Sequence, residues 1–302
     1  MTGKIMDKKW LMYILVAVCA LLWGFSFFGT TVALQKIEPM QLLAMRWTIA
    51  AVIFLILAAL GVVKLKLKGK NWKALLVVGL LQPSFYSIFE TNGINLTTTS
   101  ESSIFIATIP LMVLIIGGLF LHKKYSWKVA VAIVMAFAGV IICVVFSPNF
   151  SLGGKGVGYM VLMGAVLMGA LYCYASNGAS SDFGSLEMTF GMAIIGAIFF
   201  NCISFAMGYG FEGYKICLGD GKMFMAVLFL GICCSCLCYM IFNLVLGALP
   251  TAIASNLIGN STTAIGVLTG VIFAGDPFGW YTIVGLILTL SGIILSSLET
   301  EK

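Results

Sequence analysis

Hydrophobic positions along this chain come in long runs broken by short polar stretches. Ten such runs fall at about 10–34, 40–62, 73–94, 100–121, 127–147, 156–177, 187–209, 223–246, 251–274 and 279–298. Each is about 20 residues long, the length that crosses a hydrocarbon core of roughly 30 Å at about 1.5 Å per residue. The pattern predicts ten helices, with the sixth and eighth weakest because Gly and Cys dilute their signal. The run beginning at Trp10 lacks a small-residue cleavage site and is followed by further spans, so it reads as a first membrane helix rather than a removed signal.

One stretch occurs twice. Residues 85–142 align with 238–295 without a gap, at a constant offset of 153. Tyr86 meets Tyr239, Phe89 meets Phe242, Ser102 meets Ser255, Gly117 meets Gly270, Phe120 meets Phe273, Trp127 meets Trp280 and Gly139 meets Gly292. Agreement at Trp, Gly, Tyr and Phe carries weight that Leu-for-Ile agreement between membrane helices does not. The stretch is a duplicated unit of about three helices.

Composition sets the class. The chain is 61% hydrophobic and 9% charged, with a mean hydropathy of +1.10. A soluble domain carries about 25% charged residues, so this is an integral membrane protein. The net charge of +6 is informative by position. Lys4, Lys8 and Lys9 precede the first run, Lys64, Lys66, Lys68, Lys70 and Lys73 follow the second, and Lys123, Lys124 and Lys128 follow the fourth. All three clusters fall on one side, which the positive-inside rule makes cytoplasmic. Both termini then lie in the cytoplasm, and the setting is a plasma membrane.

Five helices per half is an odd number, so the second half enters upside down. The expected fold is all-α, ten transmembrane helices arranged as two inverted-topology five-helix repeats around a central cavity, with units 1–148 and 149–302. The basic hairpin His122-Lys123-Lys124 has Gly275-Asp276-Pro277 as its counterpart, and Leu22-Trp23-Gly24 matches Leu167-Met168-Gly169 at a shorter offset. Inverted repeats point to a secondary transporter that binds its substrate between the halves.

Several motifs occur in a fixed order: Trp23-Gly24 in the first run, Pro39 before Arg46 in the second, and Gln82-Pro83 through Tyr86, Phe89 and Glu90 in the third. A Ser/Thr-rich stretch at 97–103 leads to Pro110, and Tyr239, Phe242 and Asn243 repeat the third-run stripe. With the closing Gly139 and Gly292 segments, the chain resembles EamA-type transporters of the drug/metabolite transporter superfamily over nearly its whole length. The resemblance implies a cavity lined by the first, third, fourth, sixth, eighth and ninth helices, and export or exchange of small metabolites, amino acids or drugs. The chain departs from that family at His122-Lys123-Lys124, where an acidic residue is usual, and at Thr263, which stands opposite Pro110 in the repeat.

Glu90 is the foremost candidate, because a carboxylate inside a span costs several kcal/mol unless paired or wet. Gln82, Tyr86, Phe89 and Glu90 share a helix face, matched by Ser235, Tyr239, Phe242 and Asn243. An alternative keeps Glu90 structural, as the partner of Arg46, the one arginine in the chain. Ser103, Ala107 and Pro110 pair with Asn256, Asn260 and Thr263; two Asn four apart in an apolar span face protein or a wet cavity, not lipid. The substrate-binding candidates are Trp23, Gln82, Tyr86, Phe89, Glu90, Ser103, Tyr172, Tyr239, Asn243, Asn256 and Asn260. Pro83 and Pro110 read as helix kinks.

Other chemistries are disfavoured. Cys233, Cys234, Cys236 and Cys238 spread over diverging faces of one helix and cannot close on one tetrahedral ion. The nine cysteines form no loop framework. No P-loop sequence is present, Gly219-Asp220-Gly221-Lys222 included, so ATP does not drive this chain directly. Trp10, Trp72, Trp127 and Trp280 read as interfacial anchors. One loop histidine and no paired acids deep in spans argue against an embedded enzyme.

The sequence therefore predicts a transporter with no cofactor, no metal and no nucleic-acid partner, surrounded by lipid and acting as a monomer or homodimer. One carboxylate, one arginine and neutral polar groups suit a neutral or zwitterionic small molecule with aromatic or aliphatic bulk. Proton coupling follows if Glu90 titrates; otherwise facilitated exchange remains. A lipid or lipophilic-cation flippase is the rival reading.

Overall fold

The computed structural model describes residues 9–61, 69–122, 125–148 and 155–300. Helix is the regular structure throughout, and no strand occurs among the described residues. In chain order the helices are α1 (Lys9–Leu34), α2 (Pro39–Ala59), α3 (Trp72–Leu96), α4 (Thr99–Leu119), α5 (Trp127–Val145) and α6 (Lys155–Ala179). They continue as α7 (Ser185–Ala206), α8 (Glu212–Gly219), α9 (Gly221–Ala248), α10 (Thr251–Thr269, running on through Gly270–Ala274) and α11 (Trp280–Thr300). The short α8 lies where the run pattern left a loop.

Seven of these helices are long and apolar enough to cross a membrane: α1, α2, α3, α4, α6, α7 and α9. The chain is a multi-pass membrane protein. The fifth, ninth and tenth runs form α5, α10 and α11, whose described apolar stretches include Trp127–Cys143, Thr262–Ala274 and Trp280–Leu295.

Local signals start the helices where the chain supplies caps. Pro39 opens α2, and Glu38 N–H donates to Gln41 Oε1 at 2.9 Å. Thr98 Oγ1 accepts from Glu101 N–H at 3.2 Å, while Glu101 Oε2 accepts from Thr98 N–H at 3.1 Å, a reciprocal cap that opens α4. Asp220 accepts from the Lys222 and Met223 N–H groups at 2.9 and 3.0 Å and opens α9.

Two spans are wound unevenly. In α3 the helix is kinked within Leu80–Phe85 at Pro83, where Gln82 leaves the helical region altogether (φ −142°, ψ 114°). In α9 the stretch Leu230–Cys238 is π-helical. Shifted by the repeat offset of 153, the first stretch falls at 233–238, inside the second. Ahead of Pro110, α4 is interrupted at Ala107 and Thr108.

Packing follows the small residues. The helices pair as α1 on α10, α2 on α7, α3 on α6 and α5 on α11. A Cβ on Gly139 would sit 2.6 Å from Gly285 O and 2.7 Å from Thr289 N, so α5 and α11 touch backbone to backbone. A Cβ on Gly292 would sit 2.6 Å from Ala132 O and 2.8 Å from Ala136 Cβ. Adding or subtracting 153 turns the pair Gly139–Gly285 into Gly292–Ala132, and Gly139–Thr289 into Gly292–Ala136. The helix pair is self-complementary, as in an isologous interface.

Contacts sort the helix ends to two faces of the molecule. At one, Lys70 pairs with Glu187 and the Trp72 ring meets Phe183 at 6.2 Å. At the other, Lys36 pairs with Asp220, Ser100 N–H donates to Asp276 Oδ2 at 2.6 Å, and Phe146 meets Trp280 at 5.0 Å. Of the charges that predicted orientation, Lys4, Lys8, Lys64, Lys66, Lys68, Lys123 and Lys124 lie outside the described residues.

Candidate functional site

A central cavity lies between the helices, with about 720 Å³ of unfilled space once the solvent open to it is included. Its walls come from α1 (Trp23, Ser26, Phe27), α3 (Gln82, Tyr86, Glu90), α4 (Ser103, Ala107, Pro110), α6 (Gly169, Tyr172, Cys173), α9 (Tyr239, Phe242) and α10 (Ser255, Ile258, Thr262, Thr263). These are the first, third, fourth, sixth, eighth and ninth runs of the sequence. To them α2 adds Arg46.

The charged residues on this wall are Arg46 and Glu90. Arg46 is 4% exposed; its Nε donates to Ser235 Oγ at 2.6 Å, and its guanidinium stands 5.9 Å from the Trp47 ring. Half-buried Glu90 accepts a 2.8 Å hydrogen bond from Tyr86 Oη. Both line the same cavity, and among the described residues the ion pairs are Lys36–Asp220 and Lys70–Glu187, not Arg46–Glu90. The alternative role of Arg46 and Glu90 as a locked pair therefore takes a different form: each is tied to a neutral hydroxyl, and unused hydrogen-bonding capacity remains on both. Gln82 Nε2 donates to Tyr239 Oη and joins α3 to α9.

The far wall is aromatic. Trp23 meets Tyr239 at 5.1 Å and Phe242 at 5.3 Å, both edge to face. Tyr172 lies 6.4 Å from Tyr239 and 6.0 Å from Phe242. One helix from the first half (α1) and two from the second (α6, α9) thus build one aromatic surface. A guanidinium that recognises carboxylates, a carboxylate that accepts from amines, and rings that take apolar bulk all face one space.

Seven predicted residues come together at this cavity: Trp23, Gln82, Tyr86, Glu90, Ser103, Tyr172 and Tyr239. Others do not. Phe89 packs on α6, where a Cβ on Gly164 would lie 2.9 Å from its ring. Tyr86 and Glu90 are four apart and share the cavity face, whereas Phe89 is rotated about 100° from Glu90. Asn243 is buried in a network of its own with Tyr172, Ser176 and Thr189. Asn256 is buried beside the cavity, with neither amide atom hydrogen-bonded. The side chain of Asn260 lies outside the described residues.

The lining face of α10 is instead Ser255, Gly259, Thr262 and Thr263, one residue round from the predicted stripe of Asn256, Asn260 and Thr263. Residue 255 is the repeat partner of Ser102, and its i, i+4, i+7 spacing to 259 and 262 could have pointed to this face. Cys173 and Phe27 carried no such signal.

A model of the EamA-like transporter family matches the chain twice, over residues 10–145 and 156–298. The uncharacterized transporter YcxC of Bacillus subtilis (strain 168) is 25% identical over 294 residues, covering 96% of this chain and 94% of that protein. An uncharacterized transporter of Archaeoglobus fulgidus is 23% identical over 290 residues, covering 95% of this chain and 98% of its own. One solved protein structure superposes with a TM-score of 0.72 at 15% identity, over 95% of this chain and 98% of that one. The family match spans both halves, and the chain is a membrane transporter belonging to the EamA-like transporter family.

Proposed function

We propose that this protein moves a small zwitterionic metabolite of amino-acid type across the plasma membrane by alternating access, as export or exchange. One observation carries the substrate class: Arg46 and Glu90 face a single cavity from neighbouring helices, each held by a neutral hydroxyl rather than by the other. A carboxylate would pair with the guanidinium, an ammonium with Glu90, and the side chain would rest on the Trp23, Tyr239 and Phe242 rings. Removing one partner of a desolvated charge pair typically costs 2–5 kcal/mol, so a ligand lacking either charge binds far less well.

In this reading residues 1–148 and 149–302 are two five-helix units of opposite topology, moving about the cavity, with both termini in the cytoplasm. Three features support it: the double family match, the irregular winding of α3 and α9 at matching positions of the repeat, and the exchange-symmetric contact of α5 with α11. The uneven turns sit beside Gln82 and Tyr239, where a change of helix winding would reshape the cavity.

Thermal unfolding of the purified protein against neutral amino acids, vitamins, nucleosides, organic cations and phospholipids tests the class. A ligand that binds only the folded state raises the melting temperature by mass action. The expected hits are neutral zwitterions, and Glu90→Gln abolishes the response. A panel in which only lipids or lipophilic cations stabilise the wild type refutes the proposal.

A further inference from the structure

A second cavity, with about 780 Å³ of unfilled space including the solvent open to it, opens at the end of the molecule that carries Lys70 and Glu187. It lies between the start of α1 (Met12), the α6–α7 connection (Phe183, Ser185) and the end of α9 (Asn243, Gly247). A hydrogen bond joins the walls of the two cavities. Tyr172 lines the central cavity and donates to Asn243 Oδ1 at 2.7 Å, while Asn243 lines the second. Ser176 Oγ donates to the same oxygen at 2.7 Å, and Asn243 Nδ2 donates to Thr189 Oγ1 at 3.0 Å. One amide thus ties α6, α7 and α9 together, and all four residues are buried.

This network has the chemistry of a closure that opens. Its members are neutral, so they set no charge barrier against a neutral or zwitterionic molecule. Hydrogen bonds exchanged for bonds to water cost little net free energy, about 0.5–1.5 kcal/mol each. A plug of interlocked apolar side chains would instead have to expose its whole surface. Asn243 also stands about one turn beyond the π-helical stretch Leu230–Cys238, where rewinding would swing the end of α9.

We propose that the second cavity is the inner leg of the transport path, a vestibule for the same neutral or zwitterionic molecule, and that the Tyr172–Asn243 network is the gate between the two cavities. The inference rests on the transport reading of the central cavity.

The native thiol of Cys173 lines the central cavity and reports on the gate. Cys143, buried on α5, serves as internal reference. A membrane-impermeant cationic methanethiosulfonate is applied to the inner face in inside-out vesicles of the full chain, and modification is read at each cysteine by peptide mass spectrometry. In the wild type Cys173 reacts slowly; Asn243→Ala speeds it about tenfold, as loss of the tie predicts, with Cys143 unchanged. Tyr172→Phe keeps the ring, removes one hydrogen bond, speeds Cys173 several-fold, and provides the test if Asn243→Ala does not fold.

Rates at Cys173 unchanged by both substitutions, or Cys143 accelerating in parallel, would overturn the gate. If in that event Cys173 still reacts from the outer face in right-side-out vesicles, the gate alone fails. If it reacts from neither face in any variant, the central cavity is not a water path, and the transport reading falls with the gate.

Discussion

Arg46 and Glu90 face the same cavity without touching: the guanidinium bonds Ser235 Oγ through Nε, and the carboxylate accepts from Tyr86 Oη. In a low-dielectric span, opposite charges in direct contact would consume each other's bonding capacity. Held apart on separate hydroxyls, each keeps that capacity.

Arg46→Lys keeps the positive charge but loses the planar fork that binds a carboxylate through two parallel hydrogen bonds. Affinity for a zwitterionic ligand should fall at least about tenfold, equivalent to about 1.4 kcal/mol. Titration calorimetry on the detergent-solubilised protein reads the change directly.

Ser235 does not line the central cavity, yet it fixes the Arg46 side chain from α9. Ser235→Ala should remove a hydrogen bond to a charged group, about 1.5–3 kcal/mol. The loss should appear in ligand affinity, with Ser235→Thr restoring much of it; a substitution that lowers only the melting temperature would make Ser235 purely structural.

The glycines of the α5–α11 contact should behave as a matched pair. A Cβ at either Gly139 or Gly292 has no room against the facing backbone. Each Gly→Ala change should destabilise by about 1–3 kcal/mol through overpacking, with the two costs agreeing within about 0.5 kcal/mol. Urea unfolding midpoints in mild detergent provide the comparison.

Asp220 gives its ion pair with Lys36 a pH signature. The hydrogen bond from Lys36 and then the Met223 N–H hold its carboxyl down at about 2, against an ordinary 3.8. A depressed acid contributes stability that is complete above its unfolded value and is lost as pH falls through its folded one. The melting temperature should therefore drop between about pH 4 and about pH 2 in the wild type, and the drop should be smaller in Asp220→Asn. Because the pair is exposed, added salt should weaken the difference.

Seven residues of the cavity wall were legible in the sequence. Tyr86, Glu90 and Tyr239 were found because the third and eighth runs repeat, and their i, i+4 spacing marks a face. Residues on the same run but off that face were harder. Asn243 looks like the counterpart of Glu90 at offset 153, yet α9 turns it toward Ser176 and Thr189, where a different network satisfies it. Asn256 drew notice by polarity, whereas the rotation of α10 is set by close packing of Gly266 on Ser103 and Phe27 and of Gly259 on Pro110. Such packing phases leave no mark in hydropathy. The same holds for α8, too short and mixed in composition to register as a run.

The most direct measurement pairs the ligand's charges against the protein's. Binding of a neutral amino acid, its methyl ester and its des-amino acid is measured on wild type, Arg46→Gln and Glu90→Gln. If the carboxylate sits on Arg46, Arg46→Gln weakens the amino acid but leaves the ester nearly unaffected. If the ammonium sits on Glu90, Glu90→Gln weakens the amino acid but leaves the des-amino acid nearly unaffected. Losses that simply add, with ester and des-amino acid weakened as much as the parent, would contradict the assignment of these two residues to a zwitterion site.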